Sequence, residues 1–357
     1  MKKILITGSM GYIGSLLSGY LKNLGYQCVG YDIGFFEHSL LYPQDKIKTF
    51  RKDVRDICEE DLINVDVVVH LAGISNDPVS NLDPKSVYDP SRVYSFNLAQ
   101  LCKKMGVRFI FASSCSVYGV GGRNSLDEDS GTNPQTFYSL NKLQVENDLA
   151  KISDQNFSPI ALRFATVFGL SPRIRFDVVI NMFIGMAISS RKIILNSDGK
   201  AWRPNLHILD ACEAIRCAID LKYEDKELLI LNVGSDENNM QILEIAETIK
   251  DSMPKCQIKF LNQNPELDTD GLIKDRKINK GCDNRTYKVS FEKMKKVMPK
   301  MSIKWKVEDG IKNMIVRLNE LSFDDKVFKN RCFYRLQHLE QLYSNNQITD
   351  DLRWKVN

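Results

Sequence analysis

The sequence predicts an α/β fold: a doubly wound parallel sheet with a smaller, mixed C-terminal lobe. Three observations predict it. Short apolar runs alternate with helical patterns from the start of the chain to about residue 165. One of these runs, Val65-Asp66-Val67-Val68-Val69-His70-Leu71-Ala72, is almost wholly apolar, as a strand covered on both faces should be. A glycine-punctuated turn, Gly8-Ser9-Met10-Gly11-Tyr12-Ile13-Gly14, joins the first strand pattern to the first helix pattern.

The elements follow in order. Lys3–Thr7 reads as a strand. The helix near Gly11–Leu24 carries Tyr12, Leu16, Leu17, Tyr20, Leu21 and Leu24 on one stripe, with Gly25 as its stop. Further strands are expected near Gln27–Asp32, Ile47–Arg51, Val65–Leu71, Arg108–Ser113 and Ile160–Arg163. Helices are expected near Lys85–Met105 and Tyr138–Lys151. Such alternation implies right-handed βαβ units, with binding residues gathered at the carboxyl ends of the strands. After residue 165 the regularity weakens. A helix at Asp210–Leu221 and a strand at Leu228–Val233 should rejoin the sheet. Residues 1–165 with about 205–235 therefore form the main domain, and 166–204 with 236–320 form a second lobe. Residues 321–357 form a helical tail. In that tail, a helical, charge-rich stretch from Val327 to Tyr343 carries Phe328, Cys332, Leu336, Leu339 and Tyr343 on one stripe, and is expected to dock on the body or a partner subunit rather than do chemistry.

Bulk properties exclude several classes. The 357 residues carry a net charge of only +4, which gives no ground for nucleic-acid binding. The basic run Lys274-Asp275-Arg276-Lys277-Ile278-Asn279-Lys280 reads as a solvated loop. Nine cysteines are scattered without C-x-x-C spacing, as expected of reduced thiols in the cytoplasm. The four histidines are far apart, and no metal is expected. No signal peptide or membrane-spanning run is read.

The opening turn has the spacing of a dinucleotide-binding fingerprint on a Rossmann-type fold. Gly8 permits the tight turn, Gly11 lets backbone approach a diphosphate, and Gly14 lets helix pack on strand. The helix N-terminus supplies free N–H groups for the phosphates. Asp32, at the end of the second strand, can accept from ribose hydroxyls. A carboxylate there repels a 2′-phosphate, and Ile33, Gly34 and Phe35 follow it without a basic residue. NAD is therefore expected rather than NADP.

Tyr138-Ser139-Leu140-Asn141-Lys142 places a phenol and an ammonium one turn apart on a helix. A nearby cation favours the phenolate, so such a tyrosine can take a proton from an alcohol. The segment Ser113-Ser114-Cys115-Ser116-Val117-Tyr118-Gly119 follows an apolar strand and offers hydroxyls at its carboxyl end.

With these motifs the chain resembles the extended short-chain dehydrogenase/reductases, specifically the NAD-dependent sugar-nucleotide epimerases/dehydratases. The resemblance spans roughly residues 1–320. It rests on Thr7–Gly14, Asp53-Val54-Arg55-Asp56, His70-Leu71-Ala72-Gly73, Ser113–Gly119, Tyr138–Lys142 and Leu162–Gly169. It implies that Ser114, Tyr138 and Lys142 are catalytic. It implies that Tyr12, Ile13, Asp53, Val54, Leu71, Ala72 and Gly73 join the three glycines, Asp32, Tyr138 and Lys142 around NAD. Asp198–Asp210 resembles the family's G-x-x-x-R-x-x-x-H-x-x-D segment, and Cys282–Tyr287 its D-x-R segment. Arg203 and Arg285 are thereby implied to hold the diphosphate of a nucleotide sugar. Ser75, Ser116, Thr166, Arg175 and Asn181 fall where the family builds substrate contacts. A homodimer is likewise implied.

Three departures from the family pattern stand out. Thr166 occupies a position usually held by Asn. Counting back from Gly106, the Asn expected in the preceding helix falls at Ser91. The Asp-Glu pair of the 4,6-dehydratases is replaced by Cys115-Ser116, so water elimination lacks its catalysts. The GDP-fucose synthases carry Cys as an acid/base group in a similar segment; an additional serine precedes Val117-Tyr118 here and leaves the register ambiguous, and Cys115 is read as a bystander. The expected activity is epimerisation through a transient 4-keto sugar, with hydride transfer at C4. The rivals are a 4-oxidase or 4-ketoreductase on the same site, and a non-catalytic NAD-binding regulator.

Overall fold

The computed structural model describes residues 1–75, 84–122, 124–223, 225–261 and 285–355, with side chains from residue 90 onward in the second stretch. The run at 274–280 and Cys282, Asp283 and Asn284 lie outside the described residues. The chain begins with β1 (Lys3–Thr7), α1 (Tyr12–Asn23), β2 (Gln27–Asp32) and β3 (Lys48–Arg51). Next come β4 (Val67–His70), α2 (Pro84–Met105), β5 (Arg108–Ser114), α3 (Phe137–Ile152), β6 (Ile160–Phe164) and β7 (Thr166–Phe168). They are followed by α4 (Val179–Ser190), β8 (Lys192–Leu195), β9 (Trp202–His207), α5 (Ile208–Asp220), β10 (Leu229–Val233) and β11 (Asn239–Gln241). The remaining elements are α6 (Ile242–Ser252), β12 (Gln257–Phe260), α7 (Glu292–Val297), α8 (Val307–Glu320), α9 (Asp325–Phe328) and α10 (Arg335–Ser344).

Seven parallel strands form the main sheet in the order β10-β6-β5-β4-β1-β2-β3. The strand order reverses between β1 and β4, so a crevice opens beyond their carboxyl ends. Register aligns Thr7 with Tyr31 on one side and His70 on the other. Both faces are covered, which explains the uninterrupted apolar strands. Ile4, Ile6, Val67, Val69 and Ile110 pack toward α1 and α5, where Leu17, Leu21 and Ile215 lie. Leu5, Val68, Phe109 and Phe111 pack toward Leu98 of α2 and Val145 and Leu149 of α3.

β10 joins the main sheet as its edge strand, beside β6. The strands before and after it, β7, β8 and β9 with β11 and β12, form two small sheets. In one, β9 lies parallel to β7 and antiparallel to β11; in the other, β12 lies parallel to β8. Helix α4 carries their core: Ile180, Phe183, Ile184 and Ala187 are buried with Ile193, Leu195 and Ile245.

The tail differs from expectation. The helical stretch over 327–343 is broken into α9, a short 3-10 turn at Arg331–Phe333, and α10. The cause is side-chain capping. The Asn330 side chain accepts from Cys332 N (3.1 Å), while the Phe333 carbonyl is taken by Phe176 N (3.0 Å). The break turns Phe333 and Tyr334 into the core against Phe176 and leaves Tyr343 exposed. Among the described residues no helix is long and apolar enough to cross a membrane, no His/Cys/Asp/Glu group could hold a metal ion, and the eight described cysteines are unpaired.

Candidate active site

The glycine turn is closed to side chains. Gly8 sits at φ +74°, and a Cβ on it would lie 2.8 Å from Ala72 N in the loop after β4. A Cβ on Gly14 would lie 2.1 Å from the Gly8 carbonyl oxygen. Gly11 donates to that same oxygen (3.0 Å) and caps α1. Bare backbone and unspent N–H groups therefore face the crevice at a helix N-terminus, which fits a dinucleotide's diphosphate.

Asp32 closes β2. Its carboxylate accepts from Met10 N and Gly34 N, both at 2.8 Å. Burial raises its pKa, and those two N–H groups oppose the rise. The sequence around Asp32 holds no basic residue. In space Arg173 and Arg335 both act on its charge, from far along the chain. The Asp53 carboxylate accepts the Arg55 guanidinium (Nη2–Oδ2 2.5 Å) and the Arg55 backbone N–H (2.9 Å). His70, at the end of β4, is pinned between Thr7 Oγ1 (2.7 Å) and Ser95 Oγ (2.9 Å). Burial, then the Lys142 ammonium, lowers its pKa to about 3, so the ring is neutral.

Helix α3 starts at a reciprocal cap. Thr136 Oγ1 accepts from Ser139 N (3.2 Å), and Ser139 Oγ accepts from Thr136 N (3.1 Å). This puts Tyr138 in the first turn and Lys142 one turn on. Lys142 Nζ donates to the Ala112 carbonyl (2.8 Å) and lies 5.7 Å from the centroid of the Tyr138 ring. Burial lowers the Lys142 ammonium to about 8, against the pull of Glu146 a further turn along. Glu146 is buried and accepts from Arg163 Nη2 (2.7 Å) and Nε (3.0 Å) and from Ser113 Oγ. Arg163 also donates to the Tyr118 hydroxyl (2.9 Å). This network went unread in the sequence, although Glu146 continues the i, i+4 row of Tyr138 and Lys142.

At the end of β5 the serines face different ways. Ser113 reaches Glu146, whereas Ser114 Oγ accepts from Ser116 N (3.1 Å) and caps a short turn. Ser116 Oγ is buried without a hydrogen-bond partner on the crevice wall. Cys115 turns inward: its thiol donates to the Arg163 carbonyl (3.1 Å) and burial pushes its pKa up.

At the far end, Arg203 donates to the carbonyls of Trp202 (2.9 Å) and Arg285, and lies over the Tyr287 ring. Arg175 pairs with Asp177 (2.6 Å) and donates to Ser75 Oγ (2.7 Å). In the segment 199–210 Ala201, Arg203 and Asn205 line the cavity, whereas His207 and Asp210 do not. His207 stacks on Trp305, and Asp210 accepts from Lys304 N and Trp305 N.

One continuous cavity of about 880 Å³ joins these parts. Its wall includes Gly8, Gly11, Tyr12, Ile13, Gly14, Asp32, Asp53, Val54, Leu71, Ala72 and Gly73. It continues through Ser75, Ser114, Ser116, Tyr138, Lys142, Thr166, Arg175, Arg203 and Arg285. Asn181 lies elsewhere. Its amide is fully buried, accepting from Gly169 N (3.0 Å) and donating to the Tyr12 hydroxyl (3.2 Å) and the Arg175 carbonyl (3.0 Å). It ties α4 to the crevice from behind, a correction to its expected place in substrate contact. The sequence also missed wall residues from the tail, among them Arg335, Leu339 and Leu352.

Residues 4–234 match the model of the NAD dependent epimerase/dehydratase family. The chain is 28% identical over 266 residues to an uncharacterized UDP-glucose epimerase, YtcB, of Bacillus subtilis, covering 70% of this chain and 81% of that protein. It is 29% identical over 276 residues to a UDP-glucose 4-epimerase of Neisseria meningitidis serogroup A, covering 69% and 80%. Among solved structures it resembles the NDP-hexosamine 5,6-dehydratase TunA (TM-score 0.75, 20% identity, 90% and 98% covered). It also resembles the UDP-glucuronic acid 4-epimerase of Bacillus cereus in complex with NAD (TM-score 0.72, 22% identity, 91% and 99% covered).

Proposed function

We propose that this chain, which belongs to the NAD dependent epimerase/dehydratase family, inverts C4 of a UDP-sugar through a transient 4-keto sugar. It is a NAD-dependent nucleotide-sugar enzyme of the short-chain dehydrogenase/reductase type. One observation carries the finer reading. The glycine turn, the Tyr138–Lys142 pair and the two arginines Arg203 and Arg285 share a single cavity. Relatives named UDP-glucose 4-epimerases support the choice of sugar nucleotide and carbon.

NAD, when bound, supplies the acceptor and then the donor of the hydride at the sugar carbinol. The chain's residues do the rest. Arg203 and Arg285 hold the diphosphate with forked, permanently charged donors. Ser114 Oγ steadies the reacting oxygen. Tyr138 takes the proton from that oxygen and later returns it. The Lys142 ammonium stabilises the phenolate and holds the nicotinamide ribose. Beside Ser114 stand a thiol turned from the cavity and an unpartnered serine hydroxyl, so elimination across C5–C6 has no acid–base pair there. The reading includes a cytoplasmic homodimer, on family resemblance; sedimentation tests the assembly.

The deciding experiment incubates the purified chain with UDP-glucose, UDP-glucuronate and UDP-N-acetylglucosamine without added cofactor. A C4 epimer forming with no net rise in reduced-nicotinamide absorbance is the expected result. A 4-keto sugar accumulating with reduced nicotinamide, and turnover only after a keto acid is added, refutes epimerisation in favour of a 4-oxidase.

A further inference from the structure

The adenosine half of the cavity is walled by a segment some 300 residues away in sequence. Asp32, Ile33, Phe35 and Phe36 line one side of it, and Asp53, Val54 and Arg55 another. Facing them on the same wall are Arg335, Leu339, Asp351 and Leu352.

The segment 331–355 is latched to those two loops at several points. Trp354 Nε1 donates to the Ile33 carbonyl (2.7 Å), and His338 Nε2 lies 2.8 Å from the Phe35 carbonyl. Arg55 donates to the carbonyls of Asp351 (2.7 Å) and Leu352 (3.0 Å). Arg353 grips Asp56 with both terminal nitrogens (2.8 and 3.0 Å). Between the latches, Leu339, Leu342, Ile348 and Leu352 form a closed apolar cluster with Phe35, and Tyr138 packs against its edge. Arg335 is buried. Its guanidinium lies 4.3 Å over the Phe36 ring and donates to the Arg173 carbonyl (2.6 Å), while its charge acts on Asp32.

These latches meet the chain at 32–36 and 53–56, the two loops that flank the adenosine position in a dinucleotide fold. A surface tail docked for stability alone has no reason to put a buried arginine and two leucines into the cavity. We propose that segment 331–355 is the outer wall of the adenosine site, that Arg335 and Leu352 are cofactor-binding residues, and that the dinucleotide leaves only when this wall is released. The inference rests on the reading that the cavity holds NAD, and deepens it by assigning the adenosine end a wall built from segment 331–355.

The test compares the full chain with Trp354→Ala and Arg353→Ala. Each protein is loaded with NAD, freed of excess by gel filtration and mixed with a large excess of fluorescent etheno-NAD; the exchange rate is read. Thermal melts report folding, and Trp354→Phe keeps the ring without the N–H if Trp354→Ala unfolds. The expected result is slow exchange in the wild type, faster by about tenfold in each variant, one hydrogen-bonded latch per decade. Exchange at the wild-type rate in folded variants overturns the wall. A chain that takes up no NAD overturns both the wall and the cofactor reading. Faster exchange without any epimer formed supports the wall and removes only the proposed reaction.

Discussion

Acidification from pH 7 to pH 5 should cost the fold about 2 kcal/mol through His70 alone. The Ser95 hydroxyl donates to the Ser91 carbonyl (2.6 Å), so it accepts from His70 Nε2–H, leaving Nδ1 to accept from Thr7. Both ring nitrogens are thus satisfied in the neutral form. Burial, reinforced by the Lys142 ammonium, holds the pKa at about 3. In the unfolded chain it returns to about 6.5. Between those values the unfolded chain binds more protons, so stability is lost as pH falls below about 6.5. At pH 5 the unfolded imidazole lies about 1.5 units below its pKa, and each unit is worth about 1.4 kcal/mol. Urea midpoints at pH 7 and pH 5 measure the loss in the wild type and in His70→Gln. His207, lowered by burial to about 4, contributes equally to both proteins and cancels. The variant should start less stable and lose about 2 kcal/mol less on acidification. Equal acid losses in the two proteins would refute the reasoning.

Tyr138→Phe should abolish turnover and leave NAD binding nearly intact, as calorimetry and product assays will report; near-normal activity rules out the tyrosine as base. Asp32→Ala should weaken NAD and narrow its margin over NADP, and a wild type that binds NADP as tightly as NAD contradicts the role of the carboxylate. Arg203→Ala and Arg285→Ala should each cost about 1–3 kcal/mol of UDP-sugar affinity with little change for NAD. Glu146→Gln strands the buried Arg163 charge and should destabilise the fold by about 3–5 kcal/mol, read from denaturant midpoints.

The parallel sheet was legible because its strands are apolar on both faces and its first turn demands glycine. The strands at 3–7 and 27–32 are found where expected. Spacing located residues near the cavity but not which way they point. Asn181 sits in the expected neighbourhood and turns inward, because the Tyr12 hydroxyl and Gly169 N–H compete successfully for its amide. The tail was misread because a helical stripe says nothing about Asn330 capping a turn in its middle. Arg335 over the Phe36 ring was invisible for another reason: a contact across three hundred residues leaves no local pattern. The buried Glu146–Arg163 pair had only a half-signal, its helical row with Lys142.

The chain lays β7, β8 and β9 into the small sheets before returning β10 to the main one, then goes back for β11 and β12. Neither layer is therefore a contiguous stretch of gene. A chimera that borrows a new sugar pocket cannot be made with one crossover: it must graft at least two separate segments around β10 and preserve the β6–β10 register at each join. Changing the preferred sugar by point substitution on the pocket wall asks far less of the fold than recombining whole modules.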